Sequence, residues 1–361
     1  QKKIKTNNAT ITIKTNSLKL YSTTPKNLNL NLENSKLDLD IHKLNPWWVT
    51  GIVDAEGNFS INYNSQSNKI TFSFKVTQIN HSINILKYLK DFFNQGYVYV
   101  DNKNTSGYKF IVSDIDALIS TIIPHFDKYP LKTSKQLDYL SWRKAIFLQK
   151  IEISKSNSVL YLKSQMNSKR SFEERWYYLK NTDIKINDAW LQAFIDGEGS
   201  FQCNTSNTFN KGKPYQVVNN TLEIAQNSHD VFLLEAIILY LGHGYLKPKY
   251  DITKLSECRK SRSVTRVIVN NNDAIVNFID NNPMFTTKRL DFLDWKKIIE
   301  IKSNNQHKTK SGLDKIKEIK SNMNRGRKFN EVSLKNSLNK FNSLEIKKGY
   351  NYSSKDKQYF L

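Results

Sequence analysis

Two glutamates carry the chemistry that this sequence offers. Glu56 closes the segment Val49-Thr50-Gly51-Ile52-Val53-Asp54-Ala55-Glu56-Gly57, and Glu198 closes Leu191-Gln192-Ala193-Phe194-Ile195-Asp196-Gly197-Glu198-Gly199. Each segment is an apolar helical stretch that ends in an acid and a glycine, and each precedes an alternating, strand-like run. Small residues stand four apart in both: Gly51 and Ala55, then Ala193 and Gly197. Positions i and i+4 share a helix face, so these faces let two backbones approach closely. Packed on each other, the helices would send Glu56 and Glu198 out of the same end. That end carries the negative pole of both helices, and the two carboxylates repel each other. A divalent cation resolves the conflict. Mg²⁺ (or Mn²⁺) takes oxygen ligands and keeps several waters, so two glutamates and free helix-end carbonyls suit it. One such acid alone is more simply a solvated helix-end residue; the duplication is what favours metal.

The elements that must place these acids form an internal repeat. Matching strings recur in the same order: Gln78-Ile79-Asn80-His81 with Gln226-Asn227-Ser228-His229, Gly96-Tyr97 with Gly244-Tyr245, Asp116-Ala117 with Asp273-Ala274, and Leu137 to Trp142 with Leu290 to Trp295. Each copy reads as helix, two strands, helix, two strands, helix. Asn45 and Pro46 suit the N-cap and first position of the first motif helix. Phe59, Ile61 and Tyr63 alternate with polar residues, as do Phe72, Phe74 and Val76, which predicts half-buried strands with one polar face. Five segments follow: a loosely ordered leader over 1–44, a first half over 45–152, a polar connector over 153–187, a second half over 188–302 and a basic tail over 303–361. The chain opens at Gln1, so its natural start is expected upstream. Residues 311–323 read either as a basic helix along phosphates or as a solvated tail.

The formal net charge is +22, from 55 Lys and Arg against 33 Asp and Glu, which points to a polyanion and above all to nucleic acid. Aromatic residues make up 12%, too many for a disordered basic tail. Two cysteines, Cys203 and Cys258, form no zinc pattern and no disulfide framework. No phosphate-binding glycine loop of the nucleotide-hydrolase kind appears, and the longest apolar run is too short to span a bilayer.

Metal next to a phosphate backbone suggests phosphodiester hydrolysis. Gln78 and Gln226 end matching strands, where they either position water or are plain strand-end polar residues. Lys135 and Lys288 match across the repeat and suit phosphate charge, with Lys132 a rival in the first copy. The polar strand faces suit a DNA groove. In the first half these faces carry Ser60, Asn62, Asn64, Thr71, Ser73, Lys75, Thr77 and Lys109. In the second they carry Ser200, Gln202, Asn204, Asn219, Thr221, Glu223, Lys247, Lys249 and Arg266. Any one of these alone is an ordinary solvated strand residue; as a set they suit a contact surface.

Over about residues 45–302 the chain resembles the LAGLIDADG homing endonucleases, in the single-chain, two-repeat form of fungal mitochondrial introns. The two motifs carry the resemblance. FKVTQ at 74–78, GYV at 96–98, YPLKTSKQLDY at 129–139 and GLDKIKEIKSNMNRGR at 312–327 support it. The resemblance implies an α+β fold of two pseudo-symmetric αββαββα halves, with motif helices at the centre and antiparallel sheets forming a saddle over DNA. It gives the metals to Glu56 and Glu198, with the carbonyls of Ala55 and Gly197 as co-ligands, and leaves Asp54 and Asp196 structural. It implies a monomer in the mitochondrial matrix that cuts both strands of a long asymmetric duplex site across the minor groove, leaves short 3′ overhangs and promotes intron mobility. An AT-rich codon-type composition agrees with an organelle genome. The alternatives on the same fold are a group I intron RNA maturase and a DNA-binding protein without catalysis.

Overall fold

The computed structural model describes residues 44–327 apart from 103–106, 152–155, 211–212 and 261–263. The expected leader, except Leu44, and the tail beyond residue 327 lie outside the described residues.

Each motif forms a helix with a designed start. The helix Pro46–Glu56 is capped by the Asn45 side chain, which accepts from Trp47 N at 2.9 Å, and proline fills its first position. The helix Asp188–Glu198 is capped by Asn187, which accepts from Trp190 N at 3.0 Å. These caps satisfy amides that the first turn leaves without partners. Each helix runs straight into a strand at its closing glycine.

In the first half the strands are β1 (Gly57–Asn64), β2 (Lys69–Ile79), β3 (Tyr97–Asn102) and β4 (Gly107–Val112). In the second they are β5 (Gly199–Asn210), β6 (Lys213–Asn227), β7 (Tyr245–Lys247) and β8 (Val264–Val269). Both sheets are four-stranded and antiparallel, ordered β1-β2-β4-β3 and β5-β6-β8-β7. The predicted mixed helix and sheet class and the order of elements in the two halves are therefore observed. The registers Phe59↔Phe74 and Ser60↔Ser73, and Phe201↔Leu222 and Gln202↔Thr221, put one apolar and one polar face on each sheet. Helices cover the apolar faces. One core gathers around Phe59, Phe74 and Trp142, and another around Phe201, Ile224 and Trp295.

The duplication reaches further than the matched strings. After the long helices Lys135–Ile151 and Lys288–Ser303, each half adds a second helix, Ser156–Ser164 or Lys310–Ser321. A staple then follows. Asn167 N donates to Asp138 Oδ1 at 3.0 Å and its Nδ2 to Phe59 O at 3.2 Å, while Asn324 N donates to Asp291 Oδ1 at 3.0 Å and its Nδ2 to Phe201 O at 2.9 Å. Arg170 and Arg327 bind the same two carboxylates through Nε, at 3.1 and 2.9 Å. Residues assigned by sequence to connector and tail thus close the two halves. Of the two readings of residues 311–323, the helix is observed. Its Ile316 is fully buried in the second core, so this stretch is not a solvated tail.

The halves differ between β7 and β8, where a short helix, Leu255–Lys260, is inserted. Its Cys258, with Ile252, packs on Trp176 of the connector helix Phe172–Lys180 and on Val231. Among the described residues no helix is long and apolar enough to cross a membrane.

Candidate active site

The two motif helices pack through their small residues, as their spacing predicted. A Cβ at Gly51 would stand 2.9 Å from Ala193 Cβ and closer still to the Trp190 carbonyl, and one at Gly197 would collide with Ala55 Cβ. Only glycine permits this approach. The packing brings both helix C-termini, and with them Glu56 and Glu198, to one end of the interface.

Asp54 and Asp196 are buried about half a turn inside that end. Asp54 accepts from Lys132 N (2.9 Å), Thr133 N (3.1 Å) and Thr133 Oγ1 (2.6 Å), and from Trp190 Nε1 of the other half (2.7 Å). Asp196 accepts from Phe285 N (2.8 Å), Thr286 N (3.2 Å) and Thr286 Oγ1 (2.6 Å). Burial raises both pKa values, and these hydrogen bonds oppose it. Each aspartate therefore ties the segment that leads into its half's long helix, 129–135 or 282–288, to its motif helix. The structural reading of both acids fits this geometry.

The loops deliver lysines to the helix ends. Lys135 Nζ donates to Val53 O at 2.8 Å and Asp54 O at 2.7 Å; Lys288 Nζ donates to Ile195 O at 3.2 Å and Gly197 O at 2.8 Å. Each cation adds a second donor to a carbonyl that already takes the closing glycine's amide, Val53 O or Ile195 O, and caps one further helix-end carbonyl, Asp54 O or Gly197 O. Burial lowers both lysine pKa values against the pull of the nearby carboxylates. Lys132, the rival, instead lies over the Trp47 ring at 4.2 Å. The lysine contacts also separate the two expected carbonyl co-ligands. Gly197 O is already engaged by Lys288, whereas Lys135 stops one residue short of Ala55.

Burial raises the pKa of Glu56, and the Lys135 and Lys288 charges and a hydrogen bond from Gln78 pull it back. Glu56 itself keeps a solvent-exposed surface at the mouth of the site. Burial raises Glu198 as well, its repulsion from Glu56 adds to the effect, and Gln226 hydrogen-bonds to it. Both glutamines thus reach the glutamates. A cleft of about 470 Å³ opens here, and Ala55 and Lys135 of the first half share its lining with Glu198, Gln226, His229 and Asp230 of the second. This site is composite: acid and glutamine come from one half, lysine from the other.

The donor set suits a hard cation. Two mutually repelling carboxylates beside a helix-end carbonyl offer oxygen alone. No group of three or more His, Cys, Asp or Glu that could hold a metal stands among the described residues, so water or substrate oxygens would complete the shell.

The strand candidates sort by exposure. Asn62, Asn64, Thr71, Asn204, Asn219, Lys247 and Arg266 are exposed, while Ser60, Lys75, Thr77, Lys109, Ser200, Gln202, Thr221 and Glu223 are half-buried. Lys249 is exposed as well, but it stands past the end of β7 and on no strand. Ser73 is the correction. It lies on the polar face, but it is 6% exposed and shares a 2.7 Å hydrogen bond with Ser60, so its neighbours cover it. Lys109 is held by Asp101 at 2.6 Å over the Tyr99 ring. Sequence reasoning passed over Tyr97 and Tyr245, exposed on the polar faces at matched positions, and over His81 and His229. All four stand inside the strings that match across the repeat, which was the available signal.

A profile of the LAGLIDADG endonuclease family matches residues 49–146 and 191–299. The chain belongs to the LAGLIDADG endonuclease family. The two matched stretches are the two halves, each from its motif helix to its long helix. Among curated relatives, a probable intron-encoded endonuclease 2 of Neurospora crassa is 27% identical over 78% of this chain and 65% of its own length. An uncharacterized mitochondrial protein RF1 of Saccharomyces cerevisiae is 24% identical over 85% of this chain and 65% of its own length. The chain thus spans just under two thirds of these relatives. Among solved structures, the I-SmaMI LAGLIDADG homing endonuclease bound to cleaved DNA superposes with a TM-score of 0.65 at 29% identity, over 79% of this chain and 99% of its own. The I-LtrWI LAGLIDADG homing endonuclease bound to target DNA gives 0.66 at 27% identity, over 78% and 98%. These neighbours share the two-half LAGLIDADG architecture described above.

Proposed function

We propose that this LAGLIDADG protein is a site-specific homing endonuclease that hydrolyses both strands of a long, asymmetric DNA duplex. The observation that carries the reading is the junction of the motif helices: two carboxylates, two lysines and two glutamines meet there between two polar sheet faces, on a chain of charge +22. DNA in the structures of I-SmaMI and I-LtrWI supports the substrate class.

Glu56 and Glu198, with the Ala55 carbonyl, would hold Mg²⁺ or Mn²⁺, and Gly197 O would join them where Lys288 releases it. Bound there, the cations lower the pKa of water and offset charge on the phosphate. Gln78 and Gln226 orient the attacking water. Its oxygen bonds to phosphorus as the bond to a deoxyribose oxygen breaks; the water gives up a proton to solvent, and the departing oxygen takes one from solvent. Lys135 and Lys288 face the charge that grows on the phosphate, and their lowered pKa values mark how little water shields them. Exposed strand residues, led by Arg266, Lys247, Asn62 and Asn204, contact bases and phosphates. The cut crosses the minor groove and leaves short 3′ overhangs. The protein acts as a monomer, its two halves standing in for a dimer, and promotes intron mobility in mitochondria, as the names of its relatives suggest.

The test is cleavage of a randomised duplex library by the purified chain. Discrete cuts with 3′ overhangs in Mg²⁺, and none in Ca²⁺, are expected. Tight binding without cuts in Mg²⁺ and in Mn²⁺ would overturn the reading in favour of a maturase or a non-catalytic binder.

A further inference from the structure

Each lysine loop is gripped by the half it does not belong to. In one direction, Thr287, next to Lys288, places its Oγ1 2.6 Å from Nδ1 of His81, at the end of β2 in the first half. Ser82 Oγ lies 3.4 Å from the same hydroxyl and 3.1 Å from His81 Nδ1. In the other direction, Ser134, next to Lys135, places its Oγ 3.4 Å from Nδ1 of His229, at the end of β6 in the second half. Asp230 Oδ1 accepts from Ser134 N at 3.3 Å and lies 2.8 Å from His229 Nδ1. Ser134 and Thr287 are matched positions, and so are His81 and His229. The crossed pairing is thus a property of both sites.

We propose that His81 and His229 are positioning residues, each holding the lysine loop of the opposite half so that one site per DNA strand is assembled across the interface. The inference rests on the endonuclease reading above. Glu198, Gln226 and His229 come from the same strand pair and helix, and they meet Lys135 only because its loop is fixed to them. His81, which follows Gln78 at the end of β2, holds the Lys288 loop in the matching way, and the Lys288 charge acts on Glu56 as well as on Glu198. Without the crossed contacts, a lysine would still cap its own helix, yet its height above the opposite glutamate would depend on loop motion. A misplacement of that kind slows chemistry more than it weakens binding.

The two latches are unequal. Ser134 has a third anchor from the connector, since Arg175 Nη1 donates to its Oγ at 3.2 Å and its O at 3.3 Å, and Arg175 Nη2 is itself held by Asp138 at 2.9 Å. Thr287 leans on His81 and Ser82. Loss of His81 therefore frees its lysine loop more than loss of His229 does.

The test is strand-resolved nicking in Mg²⁺ of the target duplex, labelled on each strand in turn. His81→Ala slows cutting of one strand about tenfold, the factor given by loss of a positioned hydrogen bond of ordinary strength. It leaves the other strand and the affinity in Ca²⁺ unchanged. His229→Ala slows the opposite strand by a smaller factor. His81→Asn and His229→Asn, which keep a polar atom near the Nδ1 position, restore most of each rate. Should His81→Ala fail to fold, Thr287→Val breaks the same contact from the other side and must slow the same strand. Where both fold, the double variant cuts no more slowly than the slower single one. Equal slowing of both strands, additive effects, or wild-type rates in all variants would overturn the latch and leave the endonuclease reading intact. A wild-type chain that cuts nothing in Mg²⁺ or Mn²⁺ would overturn both.

Discussion

Glu56 and Glu198 stand at the negative end of two packed helices, with their charge offset by Lys135 and Lys288. Replacing either with glutamine keeps the shape and removes the charge. Glu56→Gln or Glu198→Gln is expected to abolish double-strand cleavage while DNA affinity in Ca²⁺ changes less than threefold; loss of affinity in both would instead assign the acids to holding the interface. A second residue-scale consequence concerns His125. It is buried under the first motif helix, its Nε2 lies 3.3 Å from Thr50 Oγ1, and burial lowers its pKa to about 4. The folded state keeps it neutral while the unfolded chain protonates near pH 6.5. Its contribution to stability is therefore whole above about pH 6.5 and declines as pH falls toward 4, by at most roughly 3 kcal/mol. Urea unfolding of the wild type and of His125→Gln at pH 7.5 and 5 should show a smaller pH effect in the variant.

At the scale of elements, the helix pair is the joint on which the molecule turns. Its contact requires hydrogen in place of a side chain at Gly51 and Gly197. Gly51→Ala drives a methyl into the Trp190 carbonyl, which is backbone and cannot rotate away. A destabilisation of about 1–3 kcal/mol is expected from such overpacking. Cleavage should fall with it, because the two helix ends separate. Differential scanning calorimetry with a parallel nicking assay checks this, and an unchanged Tm would show that the halves part and re-pack at no cost. The Asn–Arg staples are elements of a different kind. Arg170 binds Asp138 and the Leu137 carbonyl, so a residue beyond the first half as read from sequence holds that half's long helix. Arg170→Ala leaves Asp138 with the Arg175 and Asn167 contacts, so the first half should loosen while the second is unaffected. Hydrogen exchange resolved by peptide would show it.

At the scale of the whole molecule, the endonuclease reading makes charge set DNA affinity and the sheets set where it acts. Binding by a +22 chain should weaken linearly in log Kd against log salt, since phosphate neutralisation releases counterions. The positions are not equivalent. The Arg266 side chain is 47% exposed and 3.9 Å from Glu223, whereas Lys109 is tied to Asp101 at 2.6 Å. Arg266→Ala should lower the slope by about one and Lys109→Ala by less, because Lys109 must first leave its partner. Fluorescence anisotropy over a salt series checks both, and equal slopes for all three proteins would remove Arg266 from the phosphate surface.

The chain's order of elements, its two halves, the helix-packing glycines and the two acids were legible in the sequence, because each depends on local spacing: period 3.6 in the motifs, period 2 in the strands and a repeat in register. Tertiary structure alone decided the rest. Only Thr133 and Ser134 separate Lys132 from Lys135, and only the position of their loop against the helix end sends one to Trp47 and the other to the carbonyls. Ser73 alternates as a surface residue should, yet Ser60 across the strand covers it. The Asn167 and Asn324 staples and the crossed histidines join residues far apart in the chain, so no local pattern announces them. Hydrogen-bond partners depend on where backbones come to rest, and in this protein that is governed by how closely two helices without side chains at Gly51 and Gly197 can meet.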